Sequence, residues 1–219
     1  MRAKYVLDAV HADWKRGMVR RYVSALVGVP AVLDGIWTHH IYDVKEQLLY
    51  AIVRTLRPER VVETGVWVGW SSRAILSAMF DNRKGTLVSI DLPTIGQGHQ
   101  NADGKWDPTH VSESSETGKE VPEYLRQRWK LMLGPSTELL PTSLSAGPID
   151  MFFHDSDHAS DLMKWEYETA WPTLRAGGIL YSDDVDWNDA FASFARSVGR
   201  PPHTFRVNRD GNTTGGLRK

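Results

Sequence analysis

Apolar residues along this chain follow two periods. Over the first 40 residues Tyr5, Leu7, Val10, Trp14, Met18, Val19, Tyr22, Val23 and Leu26 fall at helical spacing, and Gly28 and Pro30 end the run. Asp43 and Glu46 have the form of an N-cap with a capping box; Leu48, Leu49, Ile52, Val53 and Leu56 follow at helical spacing, and Pro58 closes the helix. Beyond it, short apolar runs alternate with helical ones. Strands are expected to begin at Val61 and to cover Leu87–Ile90, Trp129–Leu133, 149–154 and 179–182. Helices are expected over Ser71–Phe80, near Thr137–Leu140, over 161–174 and over 189–198. Thr204–Val207, a turn at Asp210 and Gly211, and Thr213–Leu217 read as a terminal hairpin. Strands alternating with helices imply an α/β fold: a doubly wound, mostly parallel sheet with helices on both faces and an antiparallel edge. The division expected is a helical extension, 1–42, before one main domain, 43–219.

Pro93 to Val121 breaks this rhythm. It has no apolar periodicity and is rich in Gly, His, Asn, Asp and Ser. A loop that long in a compact domain is functional or disordered. It leaves the strand ending at Asp91, and reads either as a lid offering His99, Trp106 and His110 to a substrate or as an insertion without contacts.

Two acidic clusters each follow an apolar run: Asp155, Asp157 and His158 after Ile149–Phe153, and Asp183 with Asp184 after Ile179–Tyr181. Asp155 and Asp183 are separated by about one strand–helix–strand unit. Neighbouring parallel strands would set these carboxylates side by side, at the sheet edge where open α/β sheets bind ligands. Crowded carboxylates repel unless a proton or a cation sits between them. A hard divalent cation is therefore expected: Mg²⁺, or another such as Ca²⁺ or Mn²⁺.

A glycine turn joins the first strand to its helix, at Gly65 and Gly69. Such glycines let the backbone bend tightly and approach a ligand. A dinucleotide fingerprint starting at Gly65 would need glycine at positions 67 and 70, but Trp67 and Trp70 stand there. The Trp67 side chain would obstruct a pyrophosphate. Asp91 is placed to accept both ribose hydroxyls of a nucleoside, and Glu63 to attract a cationic cofactor.

Composition narrows the field. The formal net charge of −1 shows no footprint for nucleic acid, and the basic C-terminal stretch reads as a solvated face. The chain has no cysteine, so disulfides and thiolate chemistry are excluded. No apolar run reaches membrane-spanning length and no signal-peptide core is visible, so a cytoplasmic protein is expected, with neither a membrane nor a nucleic-acid partner.

The run Glu63-Thr64-Gly65-Val66-Trp67-Val68-Gly69-Trp70-Ser71 resembles the first motif of class I S-adenosylmethionine-dependent methyltransferases. It is most similar to the metal-dependent O-methyltransferases: the catechol and caffeoyl-CoA type, and those that methylate sugars in macrolide and aminocoumarin biosynthesis. Leu174 to Asp184 and Asp150 to Asp155 resemble that family's fifth and fourth strands, and the match runs in order from about residue 45 to 200. The resemblance implies a Rossmann-like, seven-stranded sheet. It implies that Glu63 neighbours the methionine part of the cofactor, that Gly65, Trp67, Gly69 and Ser71 shape its pocket, and that Asp91 binds the ribose. Gly134 and Ser136 would flank the adenine. Asp155 would border the cofactor and ligate the metal together with Asp183 and Asp184. His158 stands where the pattern carries its base; Asp157 is the competing candidate.

A metal-bound hydroxyl loses its proton more readily, and an oxygen-ligated ion with open positions suits two vicinal oxygens. The acceptor expected is a small polyhydroxylated molecule, a sugar or natural product. His154 would point to the opposite side from Asp155 and is read as structural. Three other readings stand beside this one: the same fold without a metal, a metallohydrolase, and a non-catalytic nucleoside-binding module. The amphipathic N-terminal helix would cover its own sheet or a partner's, an arrangement compatible with a homodimer.

Overall fold

A computed structural model describes residues 16–36, 38, 39, 41, 43–92, 99, 100, 106, 107, 117–207 and 212–219. The first helix, α1, runs over 16–27, and α2 over Val44–Leu56. Strands β1 (Arg60–Thr64) and β2 (Thr86–Asp91) flank α3 (Trp70–Asn82). A pair of two-residue strands follows, β3 (His99–Gln100) and β4 (Trp106–Asp107). A 3-10 helix, Glu123–Arg128, leads into β5 (Trp129–Leu133), α4 (Ser136–Leu144) and β6 (Ile149–His154). The chain ends with α5 (Ser160–Ala170), β7 (Leu174–Ser182), α6 (Ala190–Ser197), β8 (His203–Arg206) and β9 (Thr213–Arg218).

The main sheet has seven strands in the order β5-β2-β1-β6-β7-β9-β8. β5 through β7 pair in parallel, whereas β9 runs antiparallel to both β7 and β8. The chain builds outward from β1 to β2 and β5, then returns to lay β6 on the other side of β1. That reversal opens a crevice beyond the strand ends, between β1 and β6. One buried cluster joins α1, α2 and α3 to one sheet face, and a second packs α4, α5 and α6 on the other.

Several elements outgrow their expected bounds. β7 begins at Leu174 rather than 179, with a register shift between Ile149 and Met151 on its partner. Gly177 (φ +79°) accommodates the irregularity. α4, expected near Thr137–Leu140, continues through Pro141 to Leu144. α1 covers its own sheet: the Tyr22 hydroxyl donates to the His203 carbonyl at 3.0 Å, and its ring meets Phe205 edge-on.

Within the expected lid, β3 and β4 pair antiparallel; Trp106 and His99 lie on them, while His110 falls outside the described residues. Its far end returns to the glycine turn, where the Gly118 N–H donates to the Trp67 carbonyl and Glu120 N–H to the Val68 carbonyl. Among the described residues, no helix is long and apolar enough to cross a membrane.

Candidate active site

A cleft of about 720 Å³ opens over the crevice. Its floor depends on Gly65, held at φ +83°. A Cβ there would stand 1.9 Å from the Asp155 carbonyl oxygen, so the loops after β1 and β6 cross in contact. Hydrogen bonds continue the ladder past the strands, from Gly65 N–H to the Ile90 carbonyl and from Asp155 N–H to the Thr64 carbonyl.

On one side the cleft is lined by Gly65, Trp67, Ser71 and Asp91, with Gly134 and Ser136 beyond them. Asp91 Oδ2 accepts the Trp67 N–H at 2.9 Å, and Oδ1 accepts the Leu92 N–H at 2.9 Å. Trp67 adopts φ +50°, a strained conformation for a non-glycine residue, and those backbone bonds hold it there. A carboxylate has about four acceptor positions, so Asp91 keeps capacity for a ligand hydroxyl. Burial raises its pKa, against the pull of the backbone N–H groups.

Glu63 and Gly69 are not among the residues lining the cleft. Glu63 is fully buried; its carboxylate accepts hydroxyl bonds from Ser71, Ser72 and Ser89 at 2.7, 2.5 and 2.6 Å. Burial pushes its pKa up while the serines pull it back. Here the carboxylate ties β1, β2 and α3 together. Gly69 (φ +97°) caps α3, and a Cβ there would stand 2.8 Å from Gly118 Cα.

On the other side Asp155, Asp157, His158, Asp183 and Asp184 line the cleft together. The sequence reading brings the two clusters together, and the structure does the same. The cation between them is the ammonium group of Lys45, which no sequence motif indicated. Its Nζ donates to Asp183 Oδ2 at 2.7 Å and to Asp155 Oδ2 at 3.3 Å. Burial works to deprotonate Lys45, but the Asp155 and Asp183 charges outweigh it and hold the pKa well above the ordinary value. Burial likewise raises Asp183, and Lys45 reverses the effect and keeps it low. Asp155, buried and next to Asp183, is driven up despite Lys45.

Asp184 is buried with φ +44°, and among the described residues its Oδ1 has no hydrogen-bond partner. Burial and then the Asp183 charge raise its pKa to about 6. Glu46, also on the cleft wall, is raised to about 7 by burial and then Asp43.

His158 is buried between aromatic rings, with Trp187 at 5.1 Å and His154 at 5.4 Å between centroids. Its carbonyl accepts from Asn188 Nδ2 at 2.9 Å, which anchors the loop. Asp157 Oδ1 accepts the Ala159 N–H at 2.9 Å and shapes the turn into α5. His154 Nδ1 lies 2.7 Å from Glu166 Oε2, and the Thr64 and Ser156 hydroxyls donate to the same buried carboxylate, a structural network as expected.

In residue type the acidic set suits a hard divalent ion, but its packing does not. Such an ion needs carboxylate oxygens at about 2.0–2.6 Å, and Lys45 holds the shared side of Asp155 and Asp183. Among the described residues no three His, Asp or Glu side chains are grouped as a metal site.

A parallel sheet reversing at β1 and β6, an antiparallel edge at β9 and an aspartate at the end of β2 match a class I methyltransferase fold. Residues 62–185, more than half of the chain, match the family model described as a methyltransferase domain, and the chain belongs to that family. No curated protein matches by sequence. Among solved structures, the chain is similar to one described as a putative caffeoyl-CoA O-methyltransferase from Staphylococcus aureus. That match has 15% identity, covers 99% of this chain and 98% of the other, and has a TM-score of 0.60. An O-methyltransferase from Bacillus cereus in complex with SAH gives 14% identity, 92% and 97% coverage, and 0.59. TomG from Streptomyces achromogenes, an O-methyltransferase involved in tomaymycin synthesis and solved with SAM, gives 19%, 94% and 89%, and 0.59. At these identities the likeness establishes the fold.

Proposed function

We propose that this chain transfers a methyl group from S-adenosylmethionine to a hydroxyl of a small polyhydroxylated acceptor. The observation that carries this reading is that Asp91 and the His158–Asp184 cluster open into the same cleft. Its volume suits a nucleoside cofactor and a small acceptor together. The neighbours solved with SAH or SAM support the same cofactor.

The cofactor supplies an electrophilic methyl on a sulfonium. Transfer of that methyl to a hydroxyl oxygen would release the hydroxyl proton, which a base of the chain would have to accept. Asp91 holds the nucleoside and the Gly65 turn admits it to the backbone. His158 takes the proton, since a neutral imidazole carries one acceptor nitrogen and lines the same cleft. Asp157 stands second, because one of its oxygens already serves the turn at Ala159.

Calorimetric titration with S-adenosylhomocysteine tests the cofactor assignment: saturable binding is expected, and none would sink it. In His158→Ala, turnover should fall by about 10²-fold or more while S-adenosylhomocysteine affinity stays within about twofold. Wild-type turnover in that variant would remove His158 from the mechanism.

A further inference from the structure

Lys45 stands in an electrostatically poor position. It lies in the first turn of α2, where its own N–H donates to the Asp43 cap at 2.8 Å. Helix N-termini favour anions, so a lysine there is disfavoured unless something outside the helix compensates. The compensation is the acidic cluster, contributed by strands β6 and β7. Only a quarter of the Lys45 side chain is exposed, and Asp183 is almost fully buried.

The ammonium also fills the place that a divalent ion would share between Asp155 and Asp183. An ion placed within a few ångströms of Nζ would be repelled by its like charge in this largely buried setting. It would also need the same oxygen lone pairs that Lys45 engages. The two cations are therefore alternatives at this site.

We propose that Lys45 is the resident cation of the acidic cluster, and that a divalent ion enters only by displacing it, so that methyl transfer does not depend on metal. The proposal rests on the methyltransferase reading. Asp184 Oδ1, buried on the cleft wall without a partner among the described residues, is then an acceptor for a substrate hydroxyl.

Electron paramagnetic resonance with Mn²⁺ as the probe, with S-adenosylhomocysteine binding measured on the same samples, tests this. Wild-type protein should show no saturable Mn²⁺ binding below about millimolar, and its turnover should survive EDTA. Lys45→Met should bind Mn²⁺ at least about tenfold more tightly, because the competing charge is gone. Stoichiometric micromolar Mn²⁺ binding by the wild type would overturn the proposal, as would a Lys45→Met protein that binds no better. If Lys45→Met does not fold, Lys45→Gln retains hydrogen bonding without the charge and carries the same expectation. Failure of the wild type to bind S-adenosylhomocysteine would instead remove the methyltransferase reading.

Discussion

Burial sets the protonation states around this cleft, and Glu46 shows the consequence most directly. Its pKa rises from 4.5 to about 7. Between those values the folded chain keeps a proton that the unfolded chain releases. Stability therefore falls as pH rises through that window, and the loss is complete above about 7. The full shift corresponds to about 3 kcal/mol; partial exposure of Glu46 reduces this to about 1 kcal/mol. Glu46→Gln should then raise the melting temperature by about 2–4 °C at pH 8 and leave it unchanged at pH 4. A lower melting temperature at pH 8 would mean that Glu46 is ionised and paired. Glu46 was read only as a capping-box residue and Lys45 was not singled out, since both look like ordinary first-turn residues. The place of Asp91, Asp155, Asp183 and Asp184 on the cleft was legible, because each lies at or just past the end of an apolar run, and His158 follows three residues after Asp155. The one available signal for Lys45 was a basic residue at a helix N-terminus, against the helix dipole.

At the scale of elements, α1 is a structural part of the sheet that it covers. Leu26 is fully buried, and a Cβ on Gly216 would stand 2.7 Å from its Cδ2. Leu26→Ala should cost about 2–5 kcal/mol, read by urea denaturation. A cost under about 1 kcal/mol would show that α1 does not depend on this contact. The strands of the main sheet and the helices between them were legible from periodicity, whereas β3 and β4 lie in the stretch read as a loop. Boundaries were misread as well. The helix expected over 161–174 ends at Ala170, and the strand expected over 179–182 begins at Leu174, with Gly177 at positive φ inside it. The helix expected near Thr137–Leu140 continues to Leu144.

For the whole molecule, the cleft exists because the connections from the two halves of one continuous sheet diverge at the paired strands β1 and β6. A ligand bound there bridges both halves and favours the folded state by mass action. S-adenosylhomocysteine at about 100 times its dissociation constant should add about 2.7 kcal/mol, raising the melting temperature by about 5–10 °C. No shift at that concentration would contradict cofactor binding in the cleft.

The sequence by itself determined the alternation of strands and helices, and with it the edge at which Asp91, Asp155 and Asp183 emerge. Periodicity and strand ends are local properties, and they survive without knowledge of partners. It also established that the crowded carboxylates need a cation. Which cation was left to the tertiary structure, because Lys45 lies far from Asp155 and Asp183 in sequence and meets them only when α2 packs on the sheet. The same holds for Glu63: a carboxylate at a strand end looks available in sequence, and only the packing of α3 and β2 surrounds it with three serine hydroxyls. Hydrophobic pattern specifies the face a side chain takes, while its charge partners are fixed by which elements come to lie against that face.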